Sequence, residues 1–148
     1  MKINTYIIAI LFSLIFSNSD TLSVNIGKSH LYWTGQKVSG EHKGEVAIQE
    51  GYVIIKHGEI LKAQIIVDMT TISVSDIESE EWNQKLVNHL KNDDFFGVDS
   101  FPTAILSIDS SKDYKSKLTP QYNSKLNGFL TIKSINNFLT TRNRIVKI

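Results

Sequence analysis

The sequence predicts an all-β (mainly) protein of one domain, in which antiparallel strands curl around an apolar interior and one short α-helix interrupts them. Past residue 19 the chain is written in short β-branched and aromatic runs separated by Gly-containing turns, the pattern of successive antiparallel strands. Its longest run has a two-residue period, with Leu61, Ala63, Ile65, Val67 and Met69 on one face and Lys62, Gln64 and Asp68 on the other. A strand dry on one face and mostly wet on the other suits a sheet wrapped around an apolar space, whereas a helix-covered parallel sheet needs two dry faces. Neither a βαβ rhythm nor an internal repeat appears, and 148 residues at 41% hydrophobic content suffice for one core.

The elements follow in order. Met1-Lys2 is a short positive start, Tyr6 to Phe16 is almost unbroken apolar chain, and Ser17-Asn18-Ser19 supplies small residues. That is the pattern of a signal peptide over residues 1–19, cleaved before Asp20, and the eleven apolar residues are too few to span a bilayer. The expected location is therefore periplasmic or secreted, with no integral membrane segment after cleavage. Leu22 to Ile26 and His30 to Thr34 read as the first strands, and the polar stretch Gly35 to Gly44 reads as a loop. Glu45 to Gln49, Tyr52 to Lys56 and Glu59 to Met69 read as a meander, with Glu50-Gly51 and His57-Gly58 as corners. The helix is predicted near 79–91: Ser79 is placed to cap, Glu80 and Glu81 suit the positive end of the dipole, Trp82, Leu86 and Leu90 recur at four-residue spacing, and Lys91 closes the last turn. A strand from Phe101 through Ile108, a polar loop from Asp109 to Ser124 and a strand from Leu126 to Lys133 complete the domain.

Composition narrows function more by exclusion than by assignment. With 16 Lys+Arg against 15 Asp+Glu the net charge is +1, which gives no basic field for nucleic acid. The absence of cysteine excludes disulfides, a thiol nucleophile and thiolate metal sites. No phosphate loop, nucleophile elbow or metal-binding helix motif is present. His30, His42, His57 and His89 are far apart, and none is paired at the spacing that puts two ligands on one helical face. Asp93 and Asp94 are adjacent, which suits capping better than the separated carboxylates of acid–base chemistry. Phe95-Phe96 reads as core or as a plug at the mouth of the sheet, and Trp33 and Trp82 suit an interior or a ligand pocket equally.

Five segments, taken together, resemble one family. Ser29–Gly44 (SHLYWTGQKVSGEHKG), Val67–Ile72 (VDMTTI), Lys85–Phe96 (KLVNHLKNDDFF), Phe101–Ala104 (FPTA) and Gly128–Lys133 (GFLTIK) occur in the order found in the YceI-like polyisoprenoid-binding proteins. The resemblance covers about residues 23–133. It implies an eight-stranded, antiparallel lipocalin-like β-barrel whose lumen takes an isoprenoid chain, such as that of a quinone or polyprenyl lipid, for carriage or storage. Alternation then places Leu31, Trp33, Val46, Ile48, Val53, Ile55, Ile65, Val67, Leu106 and Leu130 toward the lumen, and loop position makes His42, Lys43 and His89 candidates for the rim. The expected partner is an apolar lipid, with no metal and no cofactor beyond a bound isoprenoid lipid. The oligomeric state is left open, a dimer included.

After Lys133 the family pattern continues through a Gly and further strands that close the barrel, whereas this chain reads Ser134-Ile135-Asn136-Asn137-Phe138-Leu139 and ends at Ile148. Residues 20–133 are accordingly read as the barrel domain and 134–148 as an atypical tail, truncated or frameshifted, that leaves the barrel unclosed. Two alternatives to a binding protein stand beside the resemblance. One is an enzyme acting on lipid or quinone through His42 and His89; the other is a non-functional truncated family member.

Overall fold

In the computed structural model, residues 19–38, 40–57, 59–113 and 124–143 are described. The expected leader, Ser19 apart, lies outside them. Seven strands form one antiparallel system: β1 (Asp20–Ser23), β2 (Leu31–Lys37), β3 (Gly40–Lys56), β4 (Glu59–Asp68), β5 (Thr103–Asp113), β6 (Ser124–Ile132) and β7 (Ile135–Asn143). A 3₁₀ turn (Met69–Thr71) and the helix α1 (Glu80–Lys91) fall between β4 and β5. The order β1-β3-β4-β5-β6-β7 leaves β7 at one edge. At the other, β3 takes β2 along its first half and β1 along its second. Among the described residues β7 pairs only with β6 and β2 only with β3, so the sheet is curled but not closed.

Between Gly35 and Asp113, three segments depart from the expectation. Gly35 to Gly44 is not a loop but the end of a β2–β3 hairpin, paired from Leu31↔Val46 through Lys37↔Gly40. Its side chains are mostly polar on both faces, so periodicity is silent while the backbone ladder forms regardless. Glu50-Gly51 is not a corner, because β3 runs unbroken through it. A Cβ at Gly51 would stand 2.9 Å from the Gln64 carbonyl oxygen and 2.9 Å from Val24 Cγ2, so here the missing side chain serves close approach rather than a turn. Finally, β5 continues to Asp113 in what reads as a polar loop, of which residues 114–123 lie outside the description.

Two bulges in the β3–β4 pair set which of its side chains face inward. The register passes from Ile48↔Val67 to Glu50↔Ile66, which leaves an extra residue on β3, and from Ile54↔Lys62 to Ile55↔Ile60, which leaves Leu61 extra on β4. Leu61 is accordingly 41% exposed, although it continues the dry row of Ala63, Val67 and Met69, all of which are buried. Directly opposed residues share a face, so Leu31 and Val46, Ile48 and Val67, Ile65 and Leu106, and Leu106 and Leu130 form apolar rungs across neighbouring strands.

The helix leans on this face. Leu90 and Val87 are buried against Val46, Val67, Met69, Ile72, Val74, Val98 and Ala104, with Leu86 and Phe96 packed beside them. Ser79 occupies the N-cap position without making a side-chain cap bond. Instead the Asn83 amide donates to the carbonyls of Val74 (2.9 Å) and Ile77 (3.0 Å) and fixes the approach to the helix. Trp82, at the four-residue spacing of Leu86 and Leu90, is 57% exposed and belongs to the outer surface. A second cluster of Ala63, Ile108 and Leu126, with Val53, Ile60 and Leu106 against it, fills the far end of the sheet.

Residues Ile135–Asn143, which the sequence sets apart as a tail, pair with β6 along the whole strand from Ile132↔Ile135 to Ser124↔Asn143. The connection is a two-residue turn in which Lys133 and Ser134 have φ of 50° and 60°. Such a turn favours Asn or Gly, because an ordinary side chain in the left-handed region is unfavourable by roughly 1–2 kcal/mol. Lys133 is held there in part because its Nζ donates to the Asp93 carbonyl beyond the helix. Ser134→Gly is expected to stabilise the fold by about 1 kcal/mol, seen as a rise of roughly 3 °C in Tm. An unchanged or lowered Tm would show that the turn carries no such cost.

Candidate functional site

The curl of the sheet and the helix above it enclose a cavity of about 660 Å³. Its wall is built strand by strand: Leu31 and Trp33 from β2, Val46 and Ile48 from β3, Ile65 and Val67 from β4, Ala104 and Leu106 from β5, Leu130 and Ile132 from β6, and Leu139 from β7. Met69, Ile72, Leu90, Phe95 and Phe96 close the helix end. Tyr32, Thr34 and Gly35 complete the lining, which contains no acidic, basic or histidine side chain. Both edge strands contribute, Leu31 from β2 and Leu139 from β7, so the cavity runs to the open seam.

Hydrogen bonds tie the wall to the strap Ile72–Asp76. The Ser73 N–H donates to the Glu45 carbonyl (2.9 Å) and the Ser75 N–H to the Lys43 carbonyl (2.8 Å), while the Trp33 indole N–H donates to the Ser73 carbonyl (3.0 Å). The indole thus has its polar atom satisfied and its ring free to line the cavity. Phe95 and Phe96 meet edge to face at 4.7 Å between centroids. Both Phe residues line the cavity, and Phe96 also packs on the core.

Of the ten side chains expected in the lumen, Leu31, Trp33, Val46, Ile48, Ile65, Val67, Leu106 and Leu130 line the cavity. Val53 and Ile55 do not. The first bulge reverses the parity of β3, so Val53 opposes Ala63 on the inner face but lies in the far cluster, and Ile55 sits at the hairpin end opposite Ile60. Sequence reasoning missed Met69, Ile72, Leu90, Ile132 and Leu139. For Ile132 the signal was present, since it continues the alternation of Leu130; Leu139 required reading the segment after Ser134 as a strand.

The rim candidates separate. Lys43 pairs with Glu41 at 2.6 Å on the exposed face of β3; this partnership lowers the Glu41 carboxyl below its ordinary pKa and raises that of Lys43. His42 faces the other way. Its Nδ1 lies 2.9 Å from Asp76 Oδ2, and Asp76 Oδ1 accepts the Lys43 backbone N–H at 2.9 Å. The Lys43 N–H foremost, then the His42 ring, hold the Asp76 carboxyl below its ordinary pKa. His42 and His89 come together on the walls of a groove outside the cavity, with Ile77, Trp82, Lys85 and Leu86. Among the described residues no group of three or more His, Cys, Asp or Glu is arranged to hold a metal, and no helix is long and apolar enough to cross a membrane.

A family model described as YceI-like domain matches residues 20–145, which takes in most of the segment after Lys133. No curated protein matches the chain. Among solved structures, a crystal structure of a mutant CJ YCEI protein with a monobromobimane guest matches with a TM-score of 0.42 and 16% identity. The match covers 96% of this chain and 59% of the other, so the chain spans 59% of that neighbour's length.

Proposed function

The chain belongs to the YceI-like family of lipid- and polyisoprenoid-binding proteins, and we propose that it holds the apolar chain of an isoprenoid lipid in the cavity between the sheet and α1. The observation that carries this reading is the lining itself: nineteen residues without one charged side chain, arranged in rungs across the strands. Such a wall offers no acid, base or metal ligand, so it favours binding over turnover. It also penalises any ligand that brings a charge inside, since an unpaired buried charge is far costlier than a neutral group.

The size is suitable for a chain. At roughly 30 Å³ per carbon, close to the share of one water in the liquid, about 660 Å³ takes on the order of 20 carbons. Each methylene withdrawn from water contributes about 0.8 kcal/mol, so even a partly filled cavity binds firmly after chain ordering and lost translation are subtracted. The leader-like residues 1–19 support carriage or storage of the lipid in the periplasm or outside the cell.

The test is to purify the folded chain from its native host, extract it with organic solvent and identify what is released by mass spectrometry. A prenyl lipid in amounts approaching one per chain is expected. A folded preparation from which no lipid is released would overturn the proposal.

A further inference from the structure

The groove outside the cavity has the opposite chemistry. His42, Ile77, Trp82, Lys85, Leu86 and His89 line it, so it sets two apolar walls and an indole beside an ammonium and two imidazoles. None of the six carries a carboxylate. The nearby acid, Asp76, has one oxygen on His42 Nδ1 and the other on the Lys43 backbone N–H, both at 2.9 Å. An ionised carboxylate only accepts, so His42 Nδ1 carries the hydrogen, and Nε2 of the neutral ring is left as an acceptor that does not bond an anion.

Lys85 is placed rather than free. Its Nζ stands 4.6 Å from the centre of the Trp82 ring, where the face of the indole attracts it. Trp82 itself is 57% exposed, although its neighbours Leu86 and Leu90 on the same helix turn toward the core. The result is a flat apolar surface with a fixed cation at its border, in a groove of about 480 Å³.

We propose that this groove is a second binding site, separate from the cavity, for an aromatic carboxylate: its ring lies against Trp82, Ile77 and Leu86, and its anion meets the Lys85 ammonium and the ring N–H of His89. The charge complementarity chooses this class. The cavity excludes an anion because no cation lines it, whereas the groove is lined by the Lys85 ammonium and by no carboxylate. The proposal goes beyond the lipid reading and does not rest on it, because the two sites share no lining residue.

Titration of the purified chain with 2-naphthoate, followed by NMR at the Trp82 indole and the His42 and His89 rings, tests it. Shifts at these groups are expected, with affinity reduced about tenfold or more in Lys85→Ala and in Lys85→Gln, and with 2-naphthylmethanol, the neutral analogue, binding about tenfold more weakly than the anion. Lys85 is exposed, so both variants retain the fold. Equal affinity for the neutral analogue, or an unchanged affinity in both Lys85 variants, would overturn the proposal. So would displacement of naphthoate by a saturating long-chain prenyl alcohol, because the probe would then be in the lumen.

Discussion

Gly44→Ala is expected to destabilise the fold by about 3 kcal/mol or more, among the largest effects of any single added methyl group. A Cβ built on Gly44 would lie 1.7 Å from the Ser73 carbonyl oxygen and 2.7 Å from Trp33 Nε1. Neither neighbour is the loose end of a flexible side chain. The Ser73 carbonyl belongs to the strap, which is held to β3 by Ser73 N–H to Glu45 and Ser75 N–H to Lys43, and the same carbonyl accepts the Trp33 indole. To admit the methyl group the strap must lift, which loosens three hydrogen bonds worth about 1 kcal/mol each and withdraws the indole from the cavity wall. Urea unfolding of Gly44→Ala beside Gly35→Ala separates this from a general cost of altering β2–β3. At Gly35 the nearest atom to a new Cβ is the Trp33 ring at 3.6 Å, an ordinary contact, so that variant is expected to stay within about 0.5 kcal/mol of the parent. Equal losses in the two variants would show that close approach at Gly44 is not what the strap requires.

These two glycines also show what a sequence of this kind discloses. Gly35 and Gly44 both stand in the polar stretch that reads as a loop, yet they lie in paired strands. Alternation made β4 legible because one of its faces is buried, as Ala63, Val67 and Met69 record. It made the end of the β2–β3 hairpin illegible because Thr34, Gln36, Lys37, Glu41 and Lys43 are all exposed there, leaving only the backbone to specify pairing. Gly51 reads as a turn because glycine serves turns and close approaches alike; Gln64 and Val24, which decide between them, are brought to it only by the fold.

The site was legible to the same extent and for the same reason. Residues whose parity could be followed along a strand, such as Ile65, Val67 and Leu130, line the cavity. Val53 lies on the inner face but outside the cavity, because its place along β3 sets it against the far cluster of Ala63, Ile108 and Leu126, and nothing in the local sequence marks where the cavity ends. Leu139 was hidden by composition: Asn136 and Asn137 are poor strand formers, and the Lys133–Ser134 turn lacks the expected glycine. The groove was beyond reach of any spacing rule, since His42 on β3 and His89 on α1 meet only because the helix leans across the start of that strand.

If the cavity holds an apolar chain, Leu106→Trp is expected to reduce its capacity without unfolding the protein. Leu106 lies between Ile65 on β4 and Leu130 on β6, at the border of the cavity and the far cluster, so a larger side chain there grows into open space rather than into packed core. The extra volume of an indole over an isobutyl group displaces about two methylenes of ligand. At about 0.8 kcal/mol each, the longest chain the cavity accepts loses on the order of 1.6 kcal/mol, or about tenfold in Kd. Shorter chains, which do not reach the Leu106 floor, lose little, so the signature is a change in length preference rather than a uniform weakening. Competition between prenyl alcohols of increasing length for the parent and the variant reads this directly, with Tm measured alongside to establish that the fold is intact. An unaltered length preference at unchanged Tm would place the chain elsewhere than against Leu106. It would leave the cavity reading without its floor.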